Sequence, residues 1–109
     1  MENRPRTPAQ EDTSTPPLTR KEILERMPEV PGWDFRDNRL VKSYIFKDFK
    51  DAIQFVKELA LLALEEGHYP DIVIKKNRFV EVSWYSYSSG GLTDRDFALA
   101  ASLTREIPV

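Results

Sequence analysis

The chain contains no cysteine, which excludes disulfide scaffolds, thiolate nucleophiles and zinc–thiolate centres. Histidine occurs once, as His68, so no multi-histidine metal site can form within one chain. No apolar run approaches the roughly 18 residues needed to span a bilayer. The N-terminus lacks the apolar segment of a secretion signal, so a cytoplasmic protein is expected. Lys and Arg number 16 against 18 Asp and Glu, and they form no long block. A polyanion-binding surface is therefore not expected, nor is a nucleic-acid or membrane partner.

What is present is an ordinary globular balance, 40% hydrophobic and 31% charged over 109 residues. That is room for one domain and one core. Residues 1–17 carry Pro5, Pro8, Pro16 and Pro17 among polar residues, with no large hydrophobe between Met1 and Leu18. Such a segment buries too little to offset its ordering entropy, and it is expected to be a disordered tail preceding a domain over 18–109.

The domain opens on a helix signal. Thr19 and Glu22 fit a capping box, and Leu18 and Ile23 a hydrophobic staple. This helix should end near Met27-Pro28. Trp33 and Phe35 then alternate with polar residues, and Asp37-Asn38 suits a hairpin turn before a strand over Leu40–Phe46. From Asp48 to Glu66 the period becomes helical, with Ile53, Val56, Leu59, Ala60 and Ala63 as the main stripe. Gly67 is placed to end that helix in the left-handed conformation. Phe55, Leu61, Leu62 and Leu64 add apolar surface outside the stripe, which implies deep burial or helix-to-helix association.

Two more strands follow, Ile72–Ile74 and Phe79–Tyr87, around the polar turn 75–78. Gly90-Gly91 breaks the second strand. Thr93 with Asp96 forms a second capping box, Leu92 with Phe97 a second staple, and the last helix continues through Ala100, Leu103 and Ile107. The order is helix, two strands, helix, two strands, helix. It predicts an α+β domain, a four-stranded antiparallel sheet with three helices on one face.

Polar residues concentrate at the ends of these elements, where sites are usually built. Gly67-His68-Tyr69-Pro70-Asp71 follows a helix, Trp84-Tyr85-Ser86-Tyr87 ends a strand, and 90–96 opens the last helix. A helix end, a strand end and a helix start are thus expected to converge on one polar cleft. Each residue also has a structural reading. His68 suits the negative end of a helix dipole, Asp96 is explained by capping, Pro70 by helix termination, and the tyrosines by ordinary aromatic packing.

This arrangement resembles the pterin-4a-carbinolamine dehydratases. That family shows His-His-Pro after a helix, then an acidic residue, a strand ending in Thr-His, a Gly-Leu-Thr or Gly-Leu-Ser turn, and an Asp in the last helix. The resemblance runs from about Leu18 to Ile107, includes Gly32-Trp33 and Phe46-Lys47-Asp48-Phe49, and is most specific over Glu66 to Phe97. His68 matches the first histidine of His-His-Pro, and Tyr69 stands at the second. Ser86 matches the threonine of Thr-His, and Tyr87 stands at its histidine. Leu64 occupies a position where the family often has an acid, while Pro70, Asp71 and Asp96 fit.

The resemblance implies loss of water from a 4a-hydroxytetrahydropterin, with no metal or organic cofactor. His68, Tyr69 and Tyr87 are then the candidate catalytic residues, and Asp71, Ser86 and Asp96 the candidate substrate-binding residues. Histidine exchanges protons near neutral pH, whereas a tyrosine hydroxyl, with an ordinary pKa near 10, is a poor base. The acid–base set is thinner than the family's. Two readings follow from the resemblance: a dehydratase with a reduced acid–base set, or a non-catalytic binding protein on the same scaffold. The second is similar to the carboxysome-associated branch that assists RuBisCO assembly. The first has a pterin as partner, the second RuBisCO or another protein, and a homodimer or homotetramer is expected with either.

Overall fold

The structure is a computed structural model that describes residues 15–109. Most of the tail expected over 1–17 thus lies outside the described residues. The described part begins by clamping onto the domain: Leu18 N–H donates to the Leu92 carbonyl at 2.8 Å. Pro17 sits so close to Gly91 that a Cβ there would fall 2.8 Å from the proline ring, so only glycine allows this approach.

Helix α1 covers Arg20–Arg26. It is closed by the expected capping box, Glu22 N–H donating to Thr19 Oγ1 and Thr19 N–H to Glu22 Oε1. A short 3-10 turn, Met27–Glu29, follows at Pro28. Strands β1 (Asp34–Arg36) and β2 (Arg39–Ile45) form a hairpin, and Asp37 and Asn38 both take positive φ, 53° and 61°. Asn and Asp tolerate that conformation better than most residues, and it matches the strand twist.

Helix α2 spans Phe49–Glu66, capped by Asp48 at its start and by Gly67 at φ 69° at its end. Strands β3 (Asp71–Lys75) and β4 (Phe79–Trp84) are joined by a second turn with positive φ at Lys76 and Asn77. Strand β4 stops at Trp84, three residues before the expected Tyr87, because Ser86 leaves the ladder to bridge Gly91. Helix α3 covers Asp94–Glu106.

The sheet order is β1-β2-β4-β3, and every neighbouring pair is antiparallel. Leu40, Tyr44, Val80, Val82 and Trp84 form its inner face. Packed on them are Ile23 of α1, Phe55, Leu59 and Leu62 of α2, and Phe97, Ala100 and Leu103 of α3. The fold is therefore the α+β arrangement expected, with three helices on one face of a four-stranded sheet. Burying a side chain of the size of Phe97 or Leu103 contributes about 1.5–3 kcal/mol.

The stripe of α2 differs from expectation. Ala52, Phe55, Leu59, Leu62 and Ala63 face the core, while Ile53 is 41% exposed. Leu61 and Leu64 are 60% and 64% exposed. No described helix is long and apolar enough to cross a membrane.

Candidate functional site

Three element ends meet, as the sequence implies, and two arginines fix their relative positions. Arg95, at the start of α3, donates to the carbonyls of Glu66 at 3.2 Å and Gly67 at 2.9 Å, which ties α3 to the end of α2. Arg26, at the end of α1, pairs with Asp94 and lies 4.6 Å above the Phe97 ring. The C-terminal carbonyls of α2 are orphan acceptors, so a guanidinium at that position satisfies them and suits the helix dipole.

The chain turn at Gly67 drives His68 inward. Its side chain is fully buried, stacked on Trp84 with centroids 5.7 Å apart and planes 15° apart. Its Nε2 meets Asp96 Oδ1 at 2.7 Å. Asp96 is fully buried too, and its other oxygen accepts from Thr93 N–H at 2.9 Å and from the Ser86 hydroxyl at 2.7 Å. Ser86 has one proton, given to Asp96, so the 2.9 Å bond between Ser86 and Thr93 must be donated by Thr93. The carboxylate thus sits in the first turn of α3, where the helix dipole favours negative charge.

The other three candidates lie outside. Tyr69 is 46% and Tyr87 59% exposed. Tyr87 donates its hydroxyl proton to Asp71 Oδ2. Arg39, which no motif singled out, donates to Asp71 Oδ2 at 2.9 Å and to the Tyr87 oxygen at 2.9 Å. Its guanidinium also lies 4.7 Å over the Tyr85 ring, and Tyr85 meets Tyr87 edge-on at 4.9 Å. The hydrogen bond to Tyr87 is the main influence holding Arg39 above its ordinary pKa, with partial desolvation opposing it.

The six sequence candidates therefore divide. His68, Ser86 and Asp96 form a buried cluster completed by Thr93. Asp71 and Tyr87 form an exposed cluster completed by Arg39, and Tyr69 stands on the surface beside His68 in the chain. His68, expected to meet a substrate directly, has a fully buried side chain. Arg39 had one signal in the sequence: it follows the Asp37-Asn38 turn. Pairing of Leu40 with Trp84 brings it alongside Tyr85. Among the described residues, no group of three or more His, Asp or Glu side chains is placed to hold a metal ion.

Comparison with known proteins places the fold in a family. Residues 16–105 match the family described as pterin 4 alpha carbinolamine dehydratase. A protein of Thermomicrobium roseum, provisionally named pterin-4-alpha-carbinolamine dehydratase, is 43% identical over 74% of this chain and 86% of its own length. One of Aromatoleum aromaticum with the same provisional name is 37% identical over 93% of this chain and 89% of its own. The crystal structure of a transcriptional coactivator/pterin dehydratase from Brucella melitensis superposes with a TM-score of 0.73. It is 30% identical and covers 82% of this chain and 96% of that one. The chain belongs to the pterin-4a-carbinolamine dehydratase family.

Proposed function

We propose that the protein dehydrates a 4a-hydroxytetrahydropterin to the quinonoid dihydropterin, using fewer histidines than the family pattern. The observation that carries this reading is the convergence of 68–71, 85–87 and 91–96 at one place, where a buried hydrogen-bonded cluster lies beside an exposed one. Tyr69, Tyr87 and Asp71 are the groups that can meet a pterin ring. His68, Ser86 and Asp96 act from beneath, fixing the helix end and the loop that present them. The leaving hydroxyl needs a proton and the ring N5 must lose one. The exposed hydroxyls and the Asp71 carboxylate are of a chemical type that serves both needs.

The test is a steady-state assay on a 4a-hydroxytetrahydropterin. Quinonoid product should form faster than the spontaneous rate, and Tyr87→Phe should lower that rate on the order of 10²-fold. No acceleration by the intact protein would sink the reading.

A second reading has its own observation in Tyr69, Tyr87, Leu61 and Leu64, all 46% to 64% exposed. Large exposed side chains are the usual anchors of protein contacts. On this reading the tyrosines contact a protein partner, with RuBisCO the candidate that the family resemblance suggests. The outer face of α2 carries Phe49, Ile53, Leu61 and Leu64, and we assign it to association of like chains as a dimer or tetramer. Light scattering at high micromolar concentration should then give a multiple of 12.7 kDa.

A further inference from the structure

Arg39 lies on β2, outside every segment that marks the family pattern, yet it completes the exposed half of the site. Asp71, Tyr87 and Arg39 form a closed triangle in which each group bonds the other two. A tyrosine hydroxyl on a half-exposed ring is otherwise free to rotate and to bond water. Here its proton is directed onto Asp71, and its lone pair receives Arg39. Lysine would give a point charge, whereas the planar guanidinium supplies two fixed donors at once. Its position over Tyr85 fixes the fork further.

We propose that Arg39 is the positioning residue of this site, holding Tyr87 and Asp71 as a two-member proton relay. The inference rests on the dehydratase reading. In the relay the N5–H bond of the substrate breaks and its proton passes to the Tyr87 oxygen. The proton of Tyr87 moves at the same time to Asp71. The N5 electron pair forms the double bond to C4a, and the C4a–O bond breaks with its electrons on oxygen. The departing hydroxide takes a proton back through Tyr87 from Asp71. Water is the co-product, and both side chains end as they began. A hydroxyl that is itself a poor base can work in this way because the carboxylate behind it accepts the proton. The guanidinium balances the single negative charge of the resting pair. While Asp71 holds the transferred proton the pair is neutral, and the positive charge beside it favours return of that proton to the departing hydroxide.

The three side chains are exposed enough that their contribution to folding is small, so Arg39 variants should fold and the test can be read on activity. Turnover of a 4a-hydroxytetrahydropterin is measured for the intact protein, Arg39→Ala, Arg39→Lys, Tyr87→Phe and the Arg39→Ala/Tyr87→Phe pair. Binding of biopterin, which has no 4a-hydroxyl to lose, is followed by calorimetry. Arg39→Ala should lower kcat about tenfold or more while biopterin affinity stays within about threefold, and Arg39→Lys should recover part of the loss. In the Tyr87→Phe background, removing Arg39 should cost little more, as expected of groups acting as one unit. An Arg39→Ala variant as active as the intact protein overturns the inference. So does a loss that is undiminished in the Tyr87→Phe background, or one that tracks biopterin affinity alone. An intact protein with no turnover is a different result, which fails the dehydratase reading and the relay with it.

Discussion

The two halves of the site are built alike and placed differently. Inside, the Asp96 carboxylate is bonded to a hydroxyl, Ser86, and to a nitrogen base, His68. Outside, the Asp71 carboxylate is bonded to a hydroxyl, Tyr87, and to a nitrogen base, Arg39. His68 and Asp96 are fully buried, whereas the Asp71 side chain is 49% exposed. Burial turns the inner set into framework, because a polar group without water must keep every partner. Exposure leaves the outer set able to exchange partners with a ligand or with solvent.

The largest effect expected from this difference is on folding. Asp96→Ala removes the acceptor for His68, Ser86 and the Thr93 N–H together, and it leaves three donors buried. Leaving a buried donor without its partner costs about 1–3 kcal/mol, so the summed loss should reach several kcal/mol. Denaturant unfolding should show that loss as a lower midpoint with an unchanged slope. A loss below about 1 kcal/mol would show that solvent reaches the cluster and would erase the distinction between the two halves.

The outer half is expected to respond in activity. Tyr69→His with Tyr87→His should raise dehydratase turnover about tenfold, since an imidazole exchanges protons near neutral pH by itself, without the carboxylate that a phenol hydroxyl needs behind it. Histidine is also smaller than tyrosine, so access for a pterin eases. No gain, together with no pterin binding by calorimetry, would favour the protein-partner reading and make these tyrosines contact residues.

Much of the fold was legible because its punctuation is local. Thr19 and Glu22, Asp37-Asn38, Gly67, and Thr93 with Asp96 each specify a cap or a turn through bonds within four residues, and all of them stand where expected. The phase of α2 was not legible. Its apolar residues cover more than one face, so periodicity alone allows several stripes, and docking on the sheet selects 52, 55, 59, 62 and 63. The site was legible as a set of residues but not as two layers. Which way a side chain points after a helix end depends on tertiary contacts such as Arg95 reaching back to Gly67. Arg39 was missed for the same reason, as it reaches Tyr87 from 48 residues away.

Tyrosines sharpen the comparison through pH. Tyr44 packs against Phe55 in the core, and burial pushes its hydroxyl up to about 12. In the unfolded chain it ionises near 10, so the native state holds the proton longer. The raised value means that stability is fully present below pH 10 and falls as pH rises from about 10 towards 12. Tyr44→Phe should flatten that part of the stability curve, measured by denaturant titration across the range. An unchanged slope would show that other groups carry the alkaline loss.

The smallest expected effect is the stability change on Asp71→Ala. Its partners, Arg39 and Tyr87, can each turn to water when the carboxylate is removed, so no donor is stranded. Exposed ion pairs of this kind contribute about 0–1 kcal/mol, and side-chain ordering offsets part of even that. The remaining contribution is also open to screening, because 1 M salt shortens the Debye length to about 3 Å. Unfolding of the Asp71→Ala variant should therefore lie within about 1 kcal/mol of the parent at low salt and closer still at 1 M. The Asp96→Ala deficit should persist at both, since the buried cluster is sealed from the ions. A salt-independent loss of several kcal/mol at Asp71 would place the outer triangle in the frame of the fold. Arg39 would then be a brace, and its effect on turnover would have to be ascribed to folding.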